Sequence, residues 1–173
     1  MKVINLIGAP GSGKSTTAAG LFYKMKMLNY NVELVTEVAK DLVWSKRFKC
    51  LENQAKVTIE QYDRMKRLDG QVDYVITDTS LLLGLIYKPA DYFKSFDPFV
   101  HELYNSFNNV NIFIERTKEY VANGRMESEK ESDQVSKAIE KILSYNEYDY
   151  KVFLGDGALV GCLFAYLEHI DVV

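Results

Sequence analysis

Five short runs along the chain are dense in apolar and β-branched residues: Val3 to Ile7, Val32 to Thr36, Tyr74 to Thr77, Val110 to Ile114 and Tyr150 to Leu154. The first is apolar at nearly every position, as in a strand buried on both faces of a parallel sheet. Between the runs the apolar positions switch to helical spacing. Ala18, Leu21, Phe22, Met25 and Leu28 recur every three or four residues, with Asn29 placed to end that helix. Further helices are predicted over Val38 to Trp44 and Leu81 to Tyr87. Asp97-Pro98 reads as an N-cap followed by proline at the first helical position, ahead of a face made by Phe99, Val100, Leu103 and Phe107. Asn108-Asn109 is expected to turn the chain into the fourth strand. A helical, acid-rich segment follows over Glu127 to Leu143. The last helix carries Leu159, Val160, Leu163, Phe164, Leu167 and Ile170 on one side, most simply as core packing. Strands alternating with helices predict an α/β protein whose parallel sheet is covered on both faces. Ligands of such sheets bind at the carboxyl ends of the strands.

Length and charge narrow this picture. The 173 residues are expected to form a single domain, 1–173, and a hydrophobic fraction of 47% is enough for a real core. A net charge of −3 gives no global pull on DNA or RNA, though it leaves room for a local basic groove. Cys50 and Cys162 have no CxxC partner, which suggests reduced thiols. The longest apolar stretch, Ala158 to Leu167, is about half the ~20 residues of a membrane span. The first strand begins directly after Met1-Lys2, so a cytoplasmic chain with no targeting segment and no membrane partner is expected.

The chemistry concentrates at the strand ends. Gly8-Ala9-Pro10-Gly11-Ser12-Gly13-Lys14-Ser15-Thr16 matches G-x-x-x-x-G-K-[ST], the P-loop or Walker A pattern, between a predicted strand and a predicted helix. Its glycines let backbone amides curl around phosphate oxygens, and the helix N-terminus adds partial positive charge. Lys14 is expected to reach the β- and γ-phosphates of ATP, Ser15 to hold Mg²⁺, and Thr16 or Thr17 to touch the α-phosphate. Glu37 closes the second strand, where a carboxylate could take a proton from an attacking hydroxyl or bond a sugar; the plainer alternative is a first-turn acid on the helix dipole. Trp44 could flank a nucleobase or lie in the core. Asp78 closes the third strand in the shape of a Walker B segment, as a magnesium ligand or a base, or else as a cap for the next helix. Arg116 and Arg125 lie on a segment after the fourth strand, where guanidinium groups suit phosphoryl transfer; surface pairing of Arg116 with nearby glutamates is the alternative.

Gly8 to Thr16, Glu37, Asp78 with Leu81-Leu82-Leu83, and Arg116, Tyr120 and Gly124-Arg125 resemble the small P-loop kinases of bacteriophages. Those are related to nicotinamide riboside kinase and, more distantly, to deoxynucleoside and nucleoside monophosphate kinases, and they include kinases of 5-hydroxymethyluracil in DNA. The resemblance implies a three-layer P-loop NTPase fold, with a five-stranded sheet in the order 2-3-1-4-5 and an arginine lid at about 116–135. It implies ATP and Mg²⁺ as cofactors, Glu37 as base, Gln61 as reader of the nucleobase, and an adenine seat near Gly155-Asp156, with Gly157 keeping that turn open. Where deoxynucleoside kinases carry Glu-Arg-Ser, this chain has Asp78-Thr79-Ser80.

An acceptor region is expected at about 37–70. Its basic residues, Lys46, Arg47, Lys49, Lys56, Arg64, Lys66 and Arg67, suit a phosphorylated acceptor, either a mononucleotide or modified DNA, and Phe48 and Trp44 could stack a base. The expected activity is transfer of the γ-phosphoryl group to a nucleoside- or nucleotide-type acceptor, including a hydroxymethylated base in phage DNA, by a monomer or homodimer in the cytoplasm of the host cell. The alternatives are a nucleoside monophosphate kinase and a P-loop ATPase, switch or binding module that transfers nothing. No Asn-Lys-x-Asp guanine signature is present.

Overall fold

A computed structural model describes residues 1–121 and 127–173. The strands are β1 (Lys2–Ile7), β2 (Val32–Val35), β3 (Tyr74–Thr77), β4 (Asn108–Glu115) and β5 (Tyr150–Leu154). They form one five-stranded sheet in the order β2-β3-β1-β4-β5, with every neighbouring pair parallel. The expected order and class therefore hold. The helices are α1 (Lys14–Met27), α2 (Val38–Trp44), α3 (Gln54–Lys66), α4 (Gly84–Tyr87), α5 (Phe96–Asn105), α6 (Glu129–Tyr145) and α7 (Leu159–His169).

Side chains alternate across a strand, so β1 feeds two cores. Val3 and Ile7 pack with Phe113 under α5 and α6, against Phe96, Val100 and Leu143. Ile4 and Leu6 pack on the opposite face with Leu21 and Met25 of α1 and Leu163 and Leu167 of α7. Each fully buried side chain of this kind contributes about 1.5–3 kcal/mol before conformational entropy is counted. α7 lies close on α1, since a Cβ on Gly20 would stand 2.8 Å from Val160 Cγ2. The apolar stripe of α7 is core as expected, except that Ile170 lies past the helix end and is exposed.

Three local expectations are corrected. α5 starts at Phe96, so Asp97 is not its N-cap; the Asp97 carboxylate instead pairs with Lys88. Pro98 becomes the third helical residue, where its missing N–H would have had no helical acceptor anyway. Asn108 and Asn109 belong to β4 rather than to a turn before it. Their segment stays extended because asparagine side chains pair across the sheet. Asn5 Nδ2 donates to Asn109 Oδ1 at 2.9 Å, and Tyr104 Oη donates to Asn111 Oδ1 at 2.7 Å. Burial of that tyrosine pushes its pKa up to about 12. Lastly, Leu81 to Tyr87 is not one helix but a 3-10 turn, Leu81–Leu83, running into α4.

α1 ends where expected, with Asn29 in the left-handed region at φ 63°. α6 begins two residues after Glu127 because Ser128 and Glu131 form a reciprocal capping box. Among the described residues no helix is long and apolar enough to cross a membrane.

Candidate active site

The turn from β1 into α1 is shaped by close approach. A Cβ on Gly8 would stand 2.5 Å from Ile114 O, so the neighbouring strand leaves room only for glycine. Gly11 and Gly13 take φ 87° and 98°, in the region that favours glycine. Gly13 is the N-cap of α1, so no side chain caps that helix, and no acid stands in its first turn. α3 and α6, by contrast, are capped by Asn53 and by the Ser128–Glu131 box. The first-turn amides of α1 are thus left for an anion, with the helix dipole behind them. Lys14 lies across the turn, donating from Nζ to Gly8 O at 2.8 Å and Ala9 O at 3.0 Å. The Ser12 hydroxyl is buried with no hydrogen-bond partner among the described residues, which suits a loop built around an oxyanion.

Two other elements hold this loop from behind. Gly155, just after β5, approaches so closely that a Cβ there would stand 2.3 Å from Ser12 O. Gly155 is therefore the glycine this turn requires, whereas a Cβ on Gly157 would meet nothing within 4 Å. From α6, the fully buried Ser132 donates from Oγ to Pro10 O at 2.8 Å.

Asp78 is the hub. Its buried carboxylate accepts from Ser15 Oγ at 2.5 Å and, through the other oxygen, from the Glu37 amide at 2.9 Å. It does not cap the next turn; Ser80 does, accepting from Leu82 N at 3.3 Å. Ser15 and Asp78 supply two hard oxygen ligands side by side, the donor set that suits Mg²⁺ sharing its remaining positions with phosphate and water. No cluster of three His, Cys, Asp or Glu able to cage a metal occurs among the described residues.

Glu37 is the backbone N-cap of α2, yet its side chain makes no capping hydrogen bond. Its pKa is raised to about 7. Burial is the main cause; Lys14 and Lys40 pull it down, and Asp78 and Glu127 push it up. The buried Gln61 amide accepts from Val38 N at 2.9 Å, so it holds the backbone just past Glu37 in place.

Lys14, Ser15, Glu37 and Gln61 line one cleft of about 740 Å³, within the usual range for small-molecule sites, while the buried Asp78 reaches it through Ser15. Its far end is apolar and aromatic, with Trp44, Phe48, Leu83 and Tyr87 on the wall. Trp44 is 63% exposed and so belongs to this wall rather than to the core. Tyr87 Oη donates to Glu127 Oε1 at 3.0 Å, and burial beside that acid pushes its pKa well up.

A model of the AAA domain matches residues 3–157. The chain belongs to the AAA domain family. No match to a curated protein sequence is found. Among solved structures, this AAA domain is similar to deoxyadenosine kinase from M. mycoides with products dCMP and a flexible dCDP bound, at TM-score 0.62 and 17% identity over 98% of this chain and 100% of that one. The same enzyme with dATP bound gives 0.62 and 18% over 97% and 100%. With dCTP bound it gives 0.57 and 15% over 98% and 100%. At these identities the likeness is one of fold.

The remaining expected site residues of the AAA domain are spread around the cleft. Arg116 does not line it; the guanidinium donates to Glu129 at 2.8 Å and Asp133 at 2.6 Å and lies over the Tyr120 ring. Arg125 lies outside the described residues. The exposed Asp156 carboxylate accepts from Ala158 N at 2.9 Å at the entry to α7. Arg64 is paired with Asp41 and Glu60, and Lys66 with Asp69. None of the seven basic residues from Lys46 to Arg67 lines the cleft. Sequence reasoning missed Lys40, Tyr87 and Glu127 as cleft residues. Lys40 had a usable signal, standing one helical turn after Glu37 and so on the same helix face. Tyr87 and Glu127 are brought together only by the fold.

Proposed function

We propose that this chain is an ATP-dependent kinase whose acceptor is the hydroxyl of an uncharged nucleoside. The observation that carries the reading is one cleft, lined at one end by the phosphate loop and at the other by an aromatic wall, with Glu37 beside the Asp78–Ser15 pair. In the reaction, the acceptor oxygen bonds to the γ-phosphorus of ATP, the bond from that phosphorus to the β–γ bridging oxygen breaks, ADP leaves, and Glu37 takes the hydroxyl proton. A carboxylate with a pKa near 7 is matched to that task. Mg²⁺ held by Ser15 and Asp78 would offset phosphate charge. Lys14 and the first-turn amides of α1 hold the phosphate tail, and Gln61 fixes the backbone that presents Glu37. Trp44 and Phe48 offer faces for a base, and the Tyr87–Glu127 pair offers a donor and an acceptor for a sugar hydroxyl.

Charge selects among acceptors. Cations lining the cleft among the described residues are Lys14 and Lys40, whereas Glu37, Glu52 and Glu127 line it as acids. With the basic residues beyond Trp44 outside the cleft, a nucleoside fits better than a mononucleotide or a base within DNA. The fold likeness to an enzyme named deoxyadenosine kinase supports the same choice.

The test is transfer of labelled γ-phosphate to a panel of nucleosides, mononucleotides, nicotinamide riboside, and plain and hydroxymethylated DNA. Label on nucleosides is expected. Label only on mononucleotides or DNA would overturn the neutral acceptor. ATP consumption independent of every acceptor would overturn the kinase.

A further inference from the structure

Lys40 is one of the two cations that line the cleft among the described residues. Arg64, Lys66, Lys88 and Arg116 each pair with a carboxylate. Lys40, on α2, instead donates from Nζ to Ser15 Oγ at 3.0 Å and lines the cleft. Among the described residues no carboxylate forms an ion pair with it, although Glu37 is near enough to feel its charge. The Ser15 hydroxyl has one proton and two lone pairs. Its proton faces Asp78 Oδ2, and Lys40 uses a lone pair. A metal ion held by Ser15 competes with Lys40 for that oxygen, and an ammonium so displaced needs another anion within the reach of its stem. Among the described residues Glu37 is the acid that feels this charge without a hydrogen bond to it, and phosphate oxygens seated on the loop beside Ser15 would offer a nearer anion.

We infer that Lys40 is a second phosphate-contacting ammonium, which binds the terminal phosphate of a nucleoside triphosphate from the acceptor side, opposite Lys14. The inference rests on the phosphate-loop reading above. It divides the labour between two lysines. Lys14, anchored across the loop, holds the phosphate tail as a whole, and Lys40, on the helix that carries Glu37, recognises the group to be transferred. A divalent cation and two ammonium groups then surround that group, and the Glu37 carboxylate stands on the same helix as one of them.

Calorimetric titration of ATP and ADP, each with magnesium, into wild type, Lys40→Met, Lys40→Arg and Lys14→Ala tests this without turnover. Lys40→Met is expected to weaken ATP by about tenfold or more, the worth of one charge-assisted hydrogen bond, while ADP changes by less than about threefold. Lys40→Arg is expected to keep the preference for ATP, since it keeps the charge, and Lys14→Ala to weaken both nucleotides. Equal weakening of ATP and ADP by Lys40→Met, or no weakening, would overturn the role of Lys40 while leaving the phosphate loop standing. So would loss of the preference in Lys40→Arg as well as Lys40→Met. Wild-type protein that binds neither nucleotide would overturn the loop reading and this inference with it. Lys40 is partly exposed at its helix surface, so circular dichroism of the variants is expected to match wild type.

Discussion

Glu37 is held between opposing neighbours, and its protonation is the most sensitive property of the site. Burial and two acids raise its pKa to about 7 against two lysines. kcat/KM for phosphoryl transfer should therefore climb as pH rises through about 7. Glu37→Gln should lose about 10²–10⁴-fold in kcat and abolish that limb of the profile. The same shift has a stability consequence of opposite slope. The folded chain holds this proton more tightly than the unfolded chain, so stability is fully present below the ordinary value of 4.5 and is lost as pH rises toward 7. Glu37→Gln should thus be more stable than wild type at pH 8 by about 1–3 kcal/mol, with the gap closing near pH 4. Urea denaturation without nucleotide at the two pH values reads it. Asp78→Asn keeps an acceptor oxygen but loses the charge beside Ser15. It should raise the magnesium concentration needed for half-maximal turnover, and an unchanged magnesium titration would remove Asp78 from the metal site. The placement of these residues was legible in the sequence because Lys14 and Ser15 open the helix after the glycine-rich loop and Glu37 and Asp78 follow the ends of β2 and β3. Gln61 was legible only by resemblance, as a reader of the nucleobase; it is buried, lines the cleft and accepts from the Val38 amide.

At the scale of elements, the phosphate loop is shaped by parts distant in sequence. β4 crowds Gly8, the turn after β5 crowds Ser12, and α6 reaches Pro10 through Ser132. Gly155→Ala places a methyl group 2.3 Å from Ser12 O, so loop or turn must shift. The expected cost is about 1–3 kcal/mol in stability, with weaker nucleotide binding alongside, read by thermal denaturation and calorimetry. Wild-type affinity in a folded Gly155→Ala protein would show that the loop does not depend on this contact. Strand identity was readable from apolar runs, and α2 from its pattern, because each matches the burial that the sheet imposes. What local pattern misjudged was asparagine. Asn109 carries a turn residue's propensity, yet partners on β1 and α5 keep it in β4. Arg116 pairs with Glu129, as the surface alternative had it, and also with Asp133, both on α6.

At the scale of the molecule, neither net charge nor the basic stretch from Lys46 to Arg67 describes the lining of the cleft. Those basic residues lie outside the cleft, whose lining among the described residues includes the acids Glu37, Glu52 and Glu127. The KM for a nucleoside acceptor should accordingly change less than about twofold between ~50 and ~300 mM salt, whereas binding through several phosphates would weaken steeply over that range. Steady-state kinetics at the two salt concentrations distinguish the cases. The fold class followed from alternation of strands and helices, but the partition of charge between cleft and rim did not, because the charged lining residues Lys14, Glu37, Lys40, Glu52 and Glu127 come from separate segments that only the fold brings together. Asp78, finally, has a consequence for ligand order. One of its oxygens holds a side chain of the first helix and the other the main chain of the second, so a shift on either side strains both. A ligand in one half of the cleft that shifts Asp78 would change the affinity of the other half, and by thermodynamic reciprocity the factor would then be the same in both directions.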